Sequence, residues 1–382
     1  MSVDLDATSE VAVSGLSLGV APAGAVALTP LEVEAPAVRV GVIGYGYWGP
    51  NLVRNLAELP GFDVAVVSDR RPQRLAQVRL RHPLVKTTPD CNEIFASPDI
   101  DAVVIVTPVS THFDLAMEAL RAGKHVLVTK PLASTSAQGA LMIDTAAEMN
   151  RVLMVDHTFI YTGAVRRIKD LINGGRLGQL YYYDSVRVNL GLFQHDVNVL
   201  WDLAVHDLAI MDYLLGKQPH AVAATGAGHV PGQPVDVAYL TCFFDNNLLT
   251  HHHVNWLAPV KIRRTLIGGD RQMIVYDDLE PSEKVKVYDK GLTLTAGDQN
   301  GQNGQSGMEG ARELLVSYRT GDVLAPQLGV SEALANVAQH FAECVRHGRR
   351  PLTDGASGLR VVRILEAAEQ SLIAGGSAVE LR

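Results

Sequence analysis

The sequence predicts an α/β fold in two parts: a doubly wound parallel sheet, then an α+β half built on a large, mostly antiparallel open sheet. Three observations predict it. Short β-branched runs alternate with helical stretches over residues 38–156, a glycine-rich turn follows the first of those runs directly, and strand-like segments separated by turns succeed one another from about residue 177.

The run VRVGVI at 38–43 has no helical period and reads as a buried strand. Residues 48–59 read as a helix, 62–68 as a strand and 71–81 as a helix. The alternation continues with a strand at 102–106, a helix over 112–122, a strand at 125–129, a helix near 134–149 and a strand around 152–156. Strands spaced by helices in this way lie parallel. After a helical stretch at 164–173 come LGQLYYYDSVRVNL, HAVAATGAGHV, DVAYLTCFFDNNLLTHHHVNW, RRTLIGGDRQMIVYDD and KVKVYDKG, interrupted by a helix at 200–215 with apolar residues at spacings of three and four. The low-complexity stretch 291–310 is expected to be a mobile surface loop, and helices are expected over 331–347 and 356–374, stopped by Gly348 and Gly375. The expected organisation is a leader over 1–37, a dinucleotide-binding domain over 38–156 and a substrate-binding and oligomerisation domain over 157–382.

Composition narrows the function. The 382 residues exceed the ~150 of one typical domain, and 47% hydrophobic with 19% charged residues is ordinary for a globular enzyme. A net charge of −8 provides no positive field for nucleic acid or anionic lipid. Residues 11–31 are uncharged, but Pro22 and Pro30 break any helix and no basic residue precedes Arg39, so a membrane anchor is not expected. Cys91, Cys242 and Cys344 are odd in number and far apart, which points to a reducing, cytoplasmic compartment.

The motif with the most chemistry is Gly44-Tyr45-Gly46-Tyr47-Trp48-Gly49, between the first strand and the first helix. Gly44 permits the turn, Gly46 lets backbone approach a pyrophosphate, and Gly49 permits close helix–strand packing. Asp69 ends the second strand, where a carboxylate accepts bonds from an adenosine ribose. It favours NAD over NADP by repelling a 2′-phosphate, while Arg70 and Arg71 leave NADP possible.

The chain here resembles the Gfo/Idh/MocA oxidoreductases. The resemblance rests on Gly44–Gly49, on Thr107-Pro108 with Thr111-His112, on the stretch Ala122 to Pro131 (AGKHVLVTKP), and on Asp202 and His206 four residues apart; it extends over about 38–382. It implies an N-terminal Rossmann domain, NAD or NADP as cofactor, and homodimers or homotetramers built sheet to sheet. Cofactor contacts are expected from Gly44, Gly46, Tyr47, Trp48, Gly49, Asp69, Arg70, Thr107, His112, Thr129 and Lys130. The family's Glu-Lys-Pro is Thr129-Lys130-Pro131 here, so the lysine is kept and the glutamate is not. The resemblance gives Lys130 the substrate oxygen, His206 the proton and Asp202 a positioning role. In their own right, a lysine at the C-terminal end of a parallel strand sits at the ligand crevice, and imidazole is suited to moving a proton at neutral pH.

Substrate contacts are expected from Lys130, Tyr161, Arg187, Asn189, Gln194, His195, Asp202 and His206. The run His251-His252-His253 places two imidazoles on one strand face and one on the other, which is a poor metal set, and no metal is expected. HVNWLAPVKIRR resembles a stretch of the open sheet in family members that act on sugars. The activity implied is hydride transfer between nicotinamide and a ring carbon of a sugar, with a nucleotide-linked sugar of the 3-dehydrogenase and 3-ketoreductase branch preferred. A free-sugar or inositol dehydrogenase, and a dinucleotide-binding regulator without turnover, are the alternatives.

Overall fold

The computed structural model describes residues 36–191, 197–296 and 314–381. Its first half runs β1 (Val38–Ile43), α1 (Gly49–Glu58), β2 (Phe62–Ser68), α2 (Pro72–Arg81), β3 (Lys86–Thr88), α3 (Asn92–Ala96), β4 (Ala102–Ile105), α4 (His112–Arg121), β5 (His125–Thr129), α5 (Ser136–Glu148) and β6 (Leu153–Asp156). The six strands pair in parallel in the order β3-β2-β1-β4-β5-β6. Helices cover both faces, so β4 is buried at every residue and Val40 and Val42 of β1 are fully buried. The strand order reverses between β1 and β4. A crevice therefore opens at their C-terminal ends, beside the glycine turn. β3 and α3 were not foreseen, because three and five residues are too few to show a period.

The second half begins with α6 (Gly163–Asn173) and β7 (Leu180–Leu190). A π-helical turn over Leu200–Ala204 then runs into α7 (Val205–Leu215). β8 (Ala221–Ala227), β9 (Val237–Phe243), β10 (Leu249–Asn255), β11 (Leu257–Gly269), β12 (Met273–Asp277) and β13 (Val285–Tyr288) follow, then β14 (Gly291–Ala296), β15 (Leu314–Arg319), β16 (Val323–Leu324), α8 (Ala333–His347), α9 (Gly355–Ile373) and β17 (Val379–Glu380). Nine of these strands form one sheet, β16-β13-β12-β11-β7-β10-β9-β8-β17, antiparallel at every junction reported except the parallel pair β7 and β10. Burial alternates along β10, with His252 fully buried and His251 and His253 on the open face, so the sheet has one covered side and one open side.

The loop expected over 291–310 needs correction at its start. Residues 291–296 are β14, paired antiparallel with β15 as a two-stranded ribbon; 297–310, like residues 1–35 of the expected leader, lie outside the described residues. Among the described residues, no helix is long and apolar enough to cross a membrane.

The C-terminal helices tie the halves together. α9 packs on β8 of the large sheet and on α5 and β6 of the parallel one, and α8 packs on α1 and β1. Phe341 of α8 is fully buried and stacks on Phe62 of β2, with centroids 6.5 Å apart and planes 13° from parallel. Phe341→Ala should lower the unfolding free energy by about 3–5 kcal/mol, the cost of deleting a buried phenyl ring. Urea titration checks this, and a loss under 1 kcal/mol would show that the helix is not locked by this ring.

Candidate active site

The glycine turn is built for close approach. Gly44 has φ +101°, and a side chain there would collide with the Val106 carbonyl. A Cβ on Gly49 would lie 2.7 Å from the Gly44 carbonyl oxygen, whereas one on Gly46 would meet only Arg71 Nη2 at 3.8 Å. Gly46 is therefore the glycine that faces open space. No side chain caps the N-terminus of α1 and no acid lies in its first turn, which leaves N–H groups and the positive helix end turned toward the crevice. Tyr47 is 81% exposed, while Trp48 turns its indole back and donates from Nε1 to Asp156 Oδ2 at 3.3 Å.

At the end of β2, Asp69 is buried and fully engaged. Oδ1 accepts from Arg71 N and Nε, each at 2.9 Å, and Oδ2 from Arg71 Nη2 at 2.9 Å and Tyr45 N at 2.8 Å. Burial alone would raise its pKa, but the bonds from Arg71 and Tyr45 outweigh burial and hold it below the usual carboxylate value. All four lone-pair sites are used, so a ribose must displace the exposed Arg71 fork to reach the carboxylate. Of the two arginines expected near the cofactor, Arg70 is exposed and makes no bond to Asp69 among the described residues, while Arg71 holds that carboxylate.

Two loops border the crevice next to β1. Thr107 and Thr111 share a hydroxyl bond at 2.7 Å. His112 was expected at the cofactor, but it is buried. Its Nδ1 lies 2.8 Å from the Pro131 carbonyl oxygen and its Nε2 2.8 Å from that of Thr107, so it clamps the two loops from behind. Thr129 ends β5 and donates to the Ile105 carbonyl at 3.2 Å. Lys130 follows; its Nζ donates to the Asp202 carbonyl at 2.8 Å and to Asp202 Oδ1 at 3.2 Å. Two of three ammonium protons are thus used, and one remains for a substrate oxygen.

Asp202 lies in the π turn, a local widening frequent at functional sites. Its Oδ2 accepts from Trp256 Nε1 at 3.0 Å. His206, on the first turn of α7, keeps part of its surface exposed and meets the edge of the Phe159 ring at 5.0 Å. Burial first, then the positive charges of Lys130, Arg187 and Arg263, hold His206 well below its ordinary value of 6.5. The imidazole is therefore neutral at physiological pH and able to accept a proton. His157, buried with neither ring nitrogen bonded among the described residues, is pushed down to about 3 by burial and by Lys130.

Two expected substrate contacts are corrected. Tyr161 is buried, its hydroxyl 3.1 Å from Thr353 Oγ1 and its ring against His340 of α8, because the short 3-10 turn at Thr158–Tyr161 rotates it into the core. Arg187 is buried, with Nε and Nη2 each 2.9 Å from the Asp207 carboxylate, so its fork holds α7 on β7; its guanidinium also lies over the Phe159 ring at 4.5 Å. Asn189 is at the end of β7 near Trp256: a Cβ on Gly191 would come within 3.1 Å of both. Gln194 and His195 lie outside the described residues. In the histidine run, His252 is a core residue between Ser185 Oγ at 2.7 Å and Thr250 Oγ1 at 3.3 Å.

Sequence reasoning missed Trp256, Phe159 and Asp156. Trp256 was signalled only by its place in HVNW, Asp156 by nothing beyond its position at a strand end, and Phe159 in the short turn after it by nothing.

Comparison with known proteins agrees with this geometry. Residues 38–157 match the GFO/IDH/MocA oxidoreductase family with NAD-binding Rossmann fold, and residues 165–275 match the GFO/IDH/MocA C-terminal domain. The chain is 26% identical over 330 residues to the scyllo-inositol 2-dehydrogenase (NAD(+)) of Bacillus subtilis, covering 82% of this chain and 88% of that one. It is 28% identical over 330 residues to the UDP-N-acetylglucosamine 3-dehydrogenase of Acidithiobacillus ferrooxidans, covering 85% and 94%. A solved structure of that A. ferrooxidans enzyme superposes with a TM-score of 0.72 at 25% identity over 89% of this chain and 99% of the other. A levoglucosan dehydrogenase in complex with NADH and levoglucosan shares the fold, with a TM-score of 0.74 at 24% identity over 91% and 100%.

The Asp69–Arg71 pair lies at the end of β2, where the adenosine ribose is expected, and its effect on cofactor choice is testable. Asp69→Ala should weaken NAD binding by about 10- to 100-fold, the loss of hydrogen bonds to a charged group. NADP should lose less, because Arg71 is then free for the 2′-phosphate. Titration of both cofactors checks this, and equal losses would mean that the pair does not discriminate.

Proposed function

The chain belongs to the Gfo/Idh/MocA family of NAD-binding oxidoreductases, and from that premise we propose that it moves hydride between nicotinamide C4 and a ring carbinol carbon of a sugar, preferably a nucleotide-linked sugar. The observation that carries the reading is the bonding of Lys130, just after a parallel strand, to Asp202 in the π turn that leads into α7, whose first turn carries His206 within electrostatic reach of the ammonium. The glycine cradle fits the cofactor: Gly46 faces open space, and the N-terminus of α1 has no side-chain cap. When bound, NAD supplies the hydride acceptor.

The chain's own residues do the rest. The remaining Lys130 proton is directed to the substrate oxygen and stabilises the negative charge that develops there as hydride leaves carbon. Asp202, pinned by Trp256, fixes the ammonium. His206, neutral and braced by Phe159, takes the hydroxyl proton, and in the reverse direction its low proton affinity makes it a strong acid toward a ketone.

The preference for a nucleotide-linked sugar is supported by the 28% identity to the UDP-N-acetylglucosamine enzyme. The similarity to the inositol enzyme, over 82% of this chain, favours the second reading, a free polyol. The open face of the large sheet, with Tyr239 and His251 outward, supports association of copies through that face.

Turnover of a panel of nucleotide sugars, free sugars and inositols, followed by nicotinamide absorbance, tests the reading. Lys130→Met and His206→Asn should each lower kcat by about 10²–10⁴-fold while NAD affinity stays within about threefold. Since neutral His206 is the base and its pKa lies below 6.5, oxidation should not slow on its account as pH falls to 6.5, and its acid limb should appear only below that pH. Near-normal rates in both variants would remove these residues from the reaction.

A further inference from the structure

Among the described residues, the charged side chains around Lys130 and His206 fall largely into pairs. Lys130 faces Asp202 at 3.2 Å, Arg187 faces Asp207 at 2.9 Å, and Arg263 faces Asp278 at 3.2 Å. His206 and His157 are held neutral. That leaves Asp156 at the end of β6, 3% exposed. Its carboxylate accepts only from neutral donors among the described residues, Trp48 Nε1 at 3.3 Å and Thr158 Oγ1 at 2.7 Å.

A buried carboxylate bonded only by neutral groups is costly, and a fold retains one at a strand end where something offsets it. Three features place the offset on the cofactor side. Asp156 is the direct partner of Thr129 in the β5–β6 register, so the two side chains share a face of the sheet at the crevice edge. Trp48, one of its donors, belongs to the glycine turn. Burial holds the Asp156 pKa above the ordinary carboxylate value, the bonds from Thr158 and Trp48 and the charge of Lys130 offset part of that rise, and Lys130 is therefore within electrostatic reach; a further positive charge at the crevice favours the ionised form.

We infer that Asp156 supplies the negative charge of the hydride-transfer site, on the strand beside a position 129 that carries a neutral threonine, and that it serves as countercharge to Lys130 together with the cationic ring of the oxidised cofactor. Asp156 is a positioning residue: it acts through Lys130 and through the Trp48 turn. The inference rests on the reading of Lys130 and the glycine cradle given above. It has a directional consequence, because the nicotinamide ring is positive when oxidised and neutral when reduced. Removing the charge of Asp156 should penalise NAD⁺ more than NADH.

The experiment measures dissociation constants of NAD⁺ and NADH, with thermal unfolding alongside, for the unmodified protein, Asp156→Asn, Thr129→Glu and the double variant Thr129→Glu/Asp156→Asn. Asp156→Asn keeps the shape and the acceptor for Trp48; Asp156→Ser replaces it if the asparagine protein does not fold. The Kd ratio of NAD⁺ to NADH should rise by about tenfold in Asp156→Asn. It should return to within about twofold of the unmodified value in the double variant, because a glutamate at position 129 restores a carboxylate on the same sheet face. Equal weakening of both cofactors, or no recovery of the ratio in a folded double variant, would overturn the inference, since a purely structural carboxylate is indifferent to the ring's charge. The two readings fail separately. Absence of turnover with the ratio shifting as stated removes the catalytic assignment alone, and normal turnover with an unmoved ratio removes the countercharge alone.

Discussion

The contact on which the site depends is the grip of Asp202 on the Lys130 ammonium. Lys130 belongs to the end of a strand in the parallel sheet, and Asp202 to a π turn leading into the helix that lies on the large sheet, so one ion pair joins the half that cradles a dinucleotide to the half that faces a substrate. The support runs outward in steps. Trp256 pins Asp202 through its indole, its own backbone N–H donates to the Asp236 carbonyl at 2.9 Å, and Arg187 holds the helix to β7 through Asp207. Groups that must be placed within tenths of an ångström are thereby held directly beside strand ends and on a helical turn.

The surrounding field serves the same end. Lys130 lowers the proton affinity of Asp156, His157 and His206 alike, and burial keeps both imidazoles neutral. Under the proposed reaction, the Lys130 ammonium held by Asp202 is the donor for a developing alkoxide, and neutral His206 is the acceptor for the proton that must leave it. At the other end of the crevice, Arg71 closes over Asp69. A ribose that reached this carboxylate would compete with that guanidinium for it.

What the sequence made legible was the part that repeats a local rule. The parallel sheet followed from alternation and the turn from glycines whose positions the backbone geometry demands, while family resemblance singled out Lys130, Asp202 and His206, of which the first two are bonded. What stayed hidden were choices made by partners distant in the chain. Arg187 and Tyr161 look like cleft residues until Asp207 and Thr353 claim them, at separations of 20 and 192 residues. His112 looks like a ligand contact until two carbonyls take its ring nitrogens. Asp156 gave no local signal, since its meaning arises from strand register with Thr129 and from a tryptophan 108 residues away. The three- and five-residue elements at 86–88 and 92–96 were illegible because periodicity needs length.

The central claim, that these residues direct hydride between a sugar ring carbon and the nicotinamide, is tested most directly by following the hydride. The substrate is a sugar or polyol carrying deuterium on the ring carbon that reacts, incubated with the protein and NAD, and the recovered cofactor is analysed by mass spectrometry and NMR. The account predicts deuterium at nicotinamide C4 and its complete dependence on Lys130. Reduced cofactor that carries no deuterium, or no reduction by any member of a broad panel of sugars, nucleotide sugars and inositols while NAD is demonstrably bound, would contradict it.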